Sequence, residues 1–132
     1  MTSVLLRHAA AGDREHWDGD DFVRPLDARG RRQAAELVEL LRPLGVRRVV
    51  SSPYVRCLET VRPLAATLGL PLESDDRLAE GAGASAVELL REDGVVCCTH
   101  GDIVEALLDR SLKKGAFVVI SDGEVVREIP PP

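Results

Sequence analysis

Apolar residues recur along this chain at two periods. Short continuous runs, Val4-Leu5-Leu6, Val49-Val50 and Val95-Val96-Cys97-Cys98, alternate with stretches in which apolar residues return every third or fourth position. Continuous runs suit strands buried on both faces, whereas the three-to-four spacing marks one side of a helix. The pattern therefore predicts strands over 3–6, 48–51 and 95–99, with a weaker one over 70–73. It predicts helices over 29–42, 54–68 and 102–110. In the first helix Ala34, Leu37, Val38 and Leu41 share a face; in the second Leu58, Val61, Ala65 and Leu68 do, and Gly69 ends it. Pro63 lies inside the second and predicts a kink or break, because proline removes a helical hydrogen bond. Ser85 and Glu88 have capping-box spacing, which starts a further helix running to about Arg91. Two last runs, 116–121 and 124–129, flank Asp122-Gly123, a strong hairpin signal.

This order reads as an α/β fold. The prediction is a three-layer α/β/α sandwich, its sheet mostly parallel, closed by a C-terminal antiparallel hairpin. Neither an internal repeat nor a linker interrupts it, so residues 1–129 are expected to form one domain followed by a proline tail, 130–132.

Composition narrows the function. The chain has 132 residues, 45% hydrophobic and 30% charged, the make-up of a globular protein. Only Trp17, Phe22, Tyr54 and Phe117 are aromatic, so the core must be aliphatic and a base-stacking platform is not expected. A net charge of −5 disfavours nucleic acid and anionic membrane as partners. The N-terminal apolar run is short and lacks a basic region before it, so neither a signal peptide nor a membrane span is expected. Three cysteines, none in C-x-x-C spacing, suit a reducing cytoplasm. Of the 17 basic residues only Lys113 and Lys114 are lysine, a usage that fits a GC-rich bacterial genome. Oligomeric state cannot be read from any of this.

In open α/β sheets ligands bind beyond the carboxyl ends of the strands. The first strand is followed by Arg7 and His8, the second by Ser51-Ser52-Pro53 and then Arg56, and the 95–99 strand by His100, Gly101 and Asp102. Two arginines and two histidines thus collect at one rim. Guanidinium forks match phosphate oxygens and stay charged at any relevant pH. A neutral imidazole nitrogen can attack phosphorus to form a covalent intermediate, and the remaining cations can stabilise charge on the oxygens in flight. A separate acid must serve the leaving oxygen.

Leu6-Arg7-His8-Ala9, Ser51-Ser52-Pro53-Tyr54-Val55-Arg56-Cys57-Leu58-Glu59-Thr60, Leu78-Ala79-Glu80 and Thr99-His100-Gly101 stand in the order and approximate spacing of the histidine phosphatase, or phosphoglycerate mutase-like, superfamily. The segment Pro25 to Ala34 is similar to that family's entry into its first helix, and the resemblance covers nearly the whole chain. It implies a hydrolase acting on phosphate esters without a metal or other cofactor. It implies His8 as the nucleophile, Arg7 and Arg56 as ligands of the phosphoryl oxygens, and His100 as a catalytic group that also contacts the phosphoryl. Glu80 falls where much of the family carries its proton donor; Asp102, then Asp13, Glu15 and Asp18, are the alternatives. Two departures stand out. Ala9 replaces the glycine usual after the nucleophile, and only 19 residues separate Glu80 from His100, where larger mutases carry insertions. The shortness implies an uncapped site, closer to phosphatase than to mutase chemistry. The chain also resembles histidine phosphatase domains fused behind a Nudix domain, but it contains no Nudix box.

The implied substrate is a small phosphorylated metabolite. A phosphohistidine-bearing protein is the alternative, and a non-catalytic phosphate-binding module a further one. Zinc is disfavoured, since His8, His16 and His100 lack ligand spacing. A cysteine phosphatase is excluded: C-x5-R would need arginine where Pro63, Ile103 and Val104 stand. The acidic run Asp18, Asp20, Asp21 reads as a solvated loop. Specificity is expected in residues 10–24 and 81–84.

Overall fold

The computed structural model describes residues 1–132. Strands β1 (Thr2–Arg7), β2 (Arg48–Ser51), β3 (Leu72–Ser74), β4 (Val95–Thr99), β5 (Phe117–Ser121) and β6 (Glu124–Ile129) form one sheet in the order β3-β2-β4-β1-β5-β6. The first four in that order are parallel; β5 and β6 run antiparallel at one side. The helices are α1 (Ala28–Leu41), α2 (Val55–Leu68) and α3 (Gly101–Leu108).

Strand β4 is buried at every position, as its unbroken apolar run requires of a strand flanked by β2 and β1. Its side chains alternate between two cores. Val4, Leu6, Val96 and Cys98 meet Leu37 and Leu41 of α1 and Val61 and Leu64 of α2. Leu5, Val95, Cys97 and Val118 meet Leu78, Ala86, Leu89 and Val104 on the opposite face. The layers are thus helix, mixed sheet, helix.

Three local readings change. Helix α2 runs unbroken through Pro63, because Val61, Leu64 and Ala65 around it are buried in the core and that burial offsets the missing bond. The stretch Ser85–Arg91 is 3-10 helix, not α-helix, and the Ser85 hydroxyl caps nothing. Its buried residues, Ala86 and Leu89, are three apart, and a three-residue turn puts them on one side. Strand β3 begins at Leu72 rather than Leu70, since the Leu70 N–H donates to the Ala65 carbonyl and closes α2 at Gly69, a left-handed residue with φ 67°. The hairpin turn has positive φ at both Asp122 and Gly123, as a two-residue primed turn demands.

One glycine fixes the loop beyond β1. The Asp27 carboxylate accepts from the Gly30 N–H at 2.8 Å and from the Gly12 N–H at 3.0 Å. The first turn of α1 is thereby drawn so close to the Ala10 carbonyl that a Cβ on Gly30 would overlap it.

Candidate active site

The parallel strands β1, β2 and β4 end at one edge, and their register sets the site. Arg7 pairs with Thr99, and the His8 N–H donates to the Thr99 carbonyl at 3.0 Å. His8 and His100, the next residues along, therefore stand side by side with ring centroids 5.5 Å apart. They are 4% and 2% exposed.

Their protons are directed by different partners. His8 Nδ1 lies 2.8 Å from the Ala9 carbonyl, which can only accept, so Nδ1 carries the hydrogen and Nε2 keeps its lone pair. Burial lowers the His8 pKa to about 3, opposed by the bond to Ala9 and reinforced by His100, Arg56 and Arg7. The ring is neutral at any physiological pH. His100 Nε2 lies 2.8 Å from Ser52 Oγ and 3.5 Å from Cys57 Sγ. Ser52 Oγ also accepts from the Tyr54 N–H at 3.2 Å. His100 Nδ1 is buried with no protein partner.

The arginines are held as firmly. Arg7 Nη1 donates to the Leu112 carbonyl at 2.7 Å, and its guanidinium lies against Gly101, where a Cβ would stand 3.0 Å from Cζ. Its Nε has no partner. Arg56 is fully buried in the first turn of α2, with Nη1 on the Asp21 carbonyl and Nη2 on Asp21 Oδ2 at 3.1 Å and Glu80 Oε2 at 3.5 Å. Tyr54 packs under its guanidinium at 4.9 Å. Asp21 also binds Arg24 Nε at 2.9 Å. Burial pushes the Asp21 carboxyl up, but Arg24, Arg56 and Arg14 outweigh it and hold the pKa below the usual range. Glu80 Oε1 accepts from Arg14 at 2.7 Å and raises the pKa of that guanidinium.

Together these groups wall a cavity of about 410 Å³ with no apolar lining residue; Arg7, His8, His100, Arg14, Glu80 and Lys114 are on its surface. Arg56 sits behind that wall. The loop of residues 12–24 lines the cavity through Gly12, Asp13, Arg14 and Arg24, is fastened to Arg56 by Asp21, and is closed on itself by Trp17, whose indole N–H donates to the Asp20 carbonyl. No cluster of three or more His, Cys, Asp or Glu is placed to hold a metal ion.

Comparison with known proteins decides the family. The model of the histidine phosphatase superfamily (branch 1) matches residues 3–89. This chain belongs to the histidine phosphatase superfamily. An 8-oxo-(d)GTP phosphatase of Mycolicibacterium smegmatis is 32% identical over 148 aligned positions, covering 95% of this chain and 46% of the relative. The chain thus spans less than half the length of that curated relative. The protein histidine phosphatase SixA complexed with tungstate superposes with a TM-score of 0.83 at 20% identity, covering 99% of this chain and 97% of that one. A mycobacterial glucosyl-3-phosphoglycerate phosphatase bound to VO3 superposes at 0.73 with 18% identity, covering 96% and 95%. These two share the fold. The three relatives named are all phosphatases.

Within this histidine phosphatase fold, Arg7, His8, Glu80 and His100 meet at the cavity, with Arg56 behind. Asp102 and Asp13 also line it; Asp102 accepts from the Gly81 N–H at 2.7 Å, whereas Glu15 and Asp18 lie elsewhere. His16 is exposed and bonded to Asp13. Of the two segments expected to set specificity, the first lines the cavity through Gly12, Asp13, Arg14 and Arg24, whereas residues 81–84 do not line it. Sequence reasoning missed Arg14, Arg24 and Lys114. It also missed Asp21, read as part of a solvated acidic run but tied to Arg56 and Arg24.

Proposed function

We propose that this chain is a metal-independent phosphatase that removes a phosphoryl group from a small phosphorylated metabolite through a covalent phosphohistidine on His8. The observation that carries this reading is the neutral His8, its Nδ1 committed to the Ala9 carbonyl and its Nε2 lone pair left as the nucleophile. Nε2 forms a bond to phosphorus as the bond from phosphorus to the leaving oxygen breaks, that oxygen taking the electron pair. Arg7 and His100, which line the cavity, stabilise the equatorial oxygens, and Arg56 adds its positive charge from directly behind the wall. Water then attacks phosphorus, releases orthophosphate and restores the His8 lone pair. Glu80 is the acid for an ester leaving group; both its oxygens are engaged by Arg14 and Arg56, so one must yield for it to act.

A phosphate-ester panel assayed in EDTA, with wild type and His8→Ala side by side, tests this. Wild type turns over, the variant loses at least about a thousandfold in kcat/KM, and acid-labile, alkali-stable phosphate appears only on the wild type. Full activity in His8→Ala would sink the reading. A phosphohistidine-bearing protein is the alternative substrate, favoured by the end-to-end match in length with SixA. Faster turnover of such a protein than of any small ester would select it.

A further inference from the structure

Beyond Arg7, one cation lining the cavity has no acidic partner. Arg7, Arg56, His8 and His100 account for a single phosphoryl. Arg14 and Arg24 are matched by Glu80 and Asp21. Lys114 is not matched: it lines the cavity, is half-buried, and takes part in none of the ion pairs. Burial and then Arg7, Arg24 and Arg56 lower its pKa, the surroundings of a cation set among cations. Of the nearby acids, Asp27 is committed to the Gly30 and Gly12 N–H groups and Asp13 to Glu15 and His16. Lys113, by contrast, is exposed.

Lys114 is also held in register with the nucleophile. The Gly115 N–H is shared between the carbonyls of Arg7 at 3.1 Å and His8 at 2.9 Å, and the Ala116 N–H closes a turn on the Lys113 carbonyl. The same loop supplies the Leu112 carbonyl that anchors Arg7. Gly115 has φ 88°, a left-handed conformation, and packs against the Gln33 side chain. A flexible surface lysine has no such mounting.

We propose that Lys114 forms a second anion subsite and that the substrate is a phosphoanhydride, its terminal phosphoryl on His8 and its next phosphoryl on Lys114. This rests on the phosphatase reading and specifies its substrate class. An independent feature agrees. The acids of the cavity are engaged, Glu80 by two guanidinium groups and Asp102 by the Gly81 N–H. A phosphoanhydride needs their help least, since its leaving group departs as a stable phosphate anion. In the reaction His8 Nε2 bonds to the terminal phosphorus and the bond to the bridging oxygen breaks. That oxygen keeps the pair as part of the departing phosphate. Water then cleaves the bond between phosphorus and nitrogen, so one anhydride and one water yield two phosphates.

Calorimetric titration in EDTA tests the subsite without turnover. Inorganic pyrophosphate, orthophosphate and 2-phosphoglycolate are titrated into His8→Ala and into His8→Ala/Lys114→Met. Pyrophosphate is expected to bind about tenfold tighter than the other two, and Lys114→Met to remove most of that advantage. Equal affinities, an equal loss for pyrophosphate and orthophosphate, or an equal gain from the carboxylate of phosphoglycolate would each overturn the proposal. The assay on wild type separates the two readings. Selective pyrophosphate binding with no turnover of pyrophosphate or of p-nitrophenyl phosphate supports the subsite and overturns the phosphatase reading. Turnover of the ester without selective binding does the reverse.

Discussion

The proton on His8 is directed by one carbonyl, that of Ala9. The family's usual glycine would present the same carbonyl, so the methyl of Ala9 changes nothing at the His8 ring; it is buried in a small cluster with Ala11, Leu26 and Ala34. Holding His8 neutral affects stability as well as reactivity. Its pKa is about 3 in the folded chain against 6.5 for the free side chain, so between these values the unfolded chain binds more protons. The resulting stability is complete above pH 6.5 and is lost as pH falls towards 3. We expect Tm to drop between these limits, and His8→Asn, which does not titrate, to flatten the slope in thermal scans; parallel slopes would count against a neutral buried His8. At this scale the sequence was readable wherever chemistry follows directly on a strand. Arg7, His8 and His100 are such residues, placed by backbone register alone. Lys114 and Asp21 were not readable, because only the path of a loop through space brings Lys114 to the cavity and Asp21 to Arg56.

At the scale of elements, helix positions follow from close approaches as much as from apolar spacing. The α1 start depends on Gly30 lying against the Ala10 carbonyl, with Asp27 as its cap. Gly30→Ala forces that loop aside, and overpacking of this kind costs about 1–3 kcal/mol. We expect a clear fall in Tm with a loss of kcat/KM, since the displaced loop continues into residues 12–24; an unchanged Tm would mean that the loop is free to move. The strands, the long helices and the hairpin were legible because their periodicity reflects burial on particular faces. What misled was local. Capping-box spacing at Ser85 pointed to an α-helix where a three-residue turn buries Ala86 and Leu89, and of the kink or break that Pro63 pointed to, the break is absent because α2 is buried against α1. Leu70 looked like strand because its bond to Ala65, which makes it part of a helix end, leaves no mark on hydropathy.

For the whole molecule, a net charge of −5 coexists with a cavity whose cations outnumber their partners. The acidic shell excluded a broadly basic binder, yet an anionic ligand is attracted by the local field. Because that attraction is screened, orthophosphate affinity should weaken several-fold as salt rises from about 0.05 to about 0.5 M. Calorimetry checks this, and a salt-independent affinity would argue that packing rather than charge holds the anion. No helix is long and apolar enough to cross a membrane. The loop of residues 12–24 has one more consequence. It carries Trp17, the single tryptophan of the chain, on a segment stitched through Asp21 to Arg56. The protein is thus labelled by its own sequence: ultraviolet emission from one indole, free of interference from any other, reports on the part of the molecule that borders the cavity.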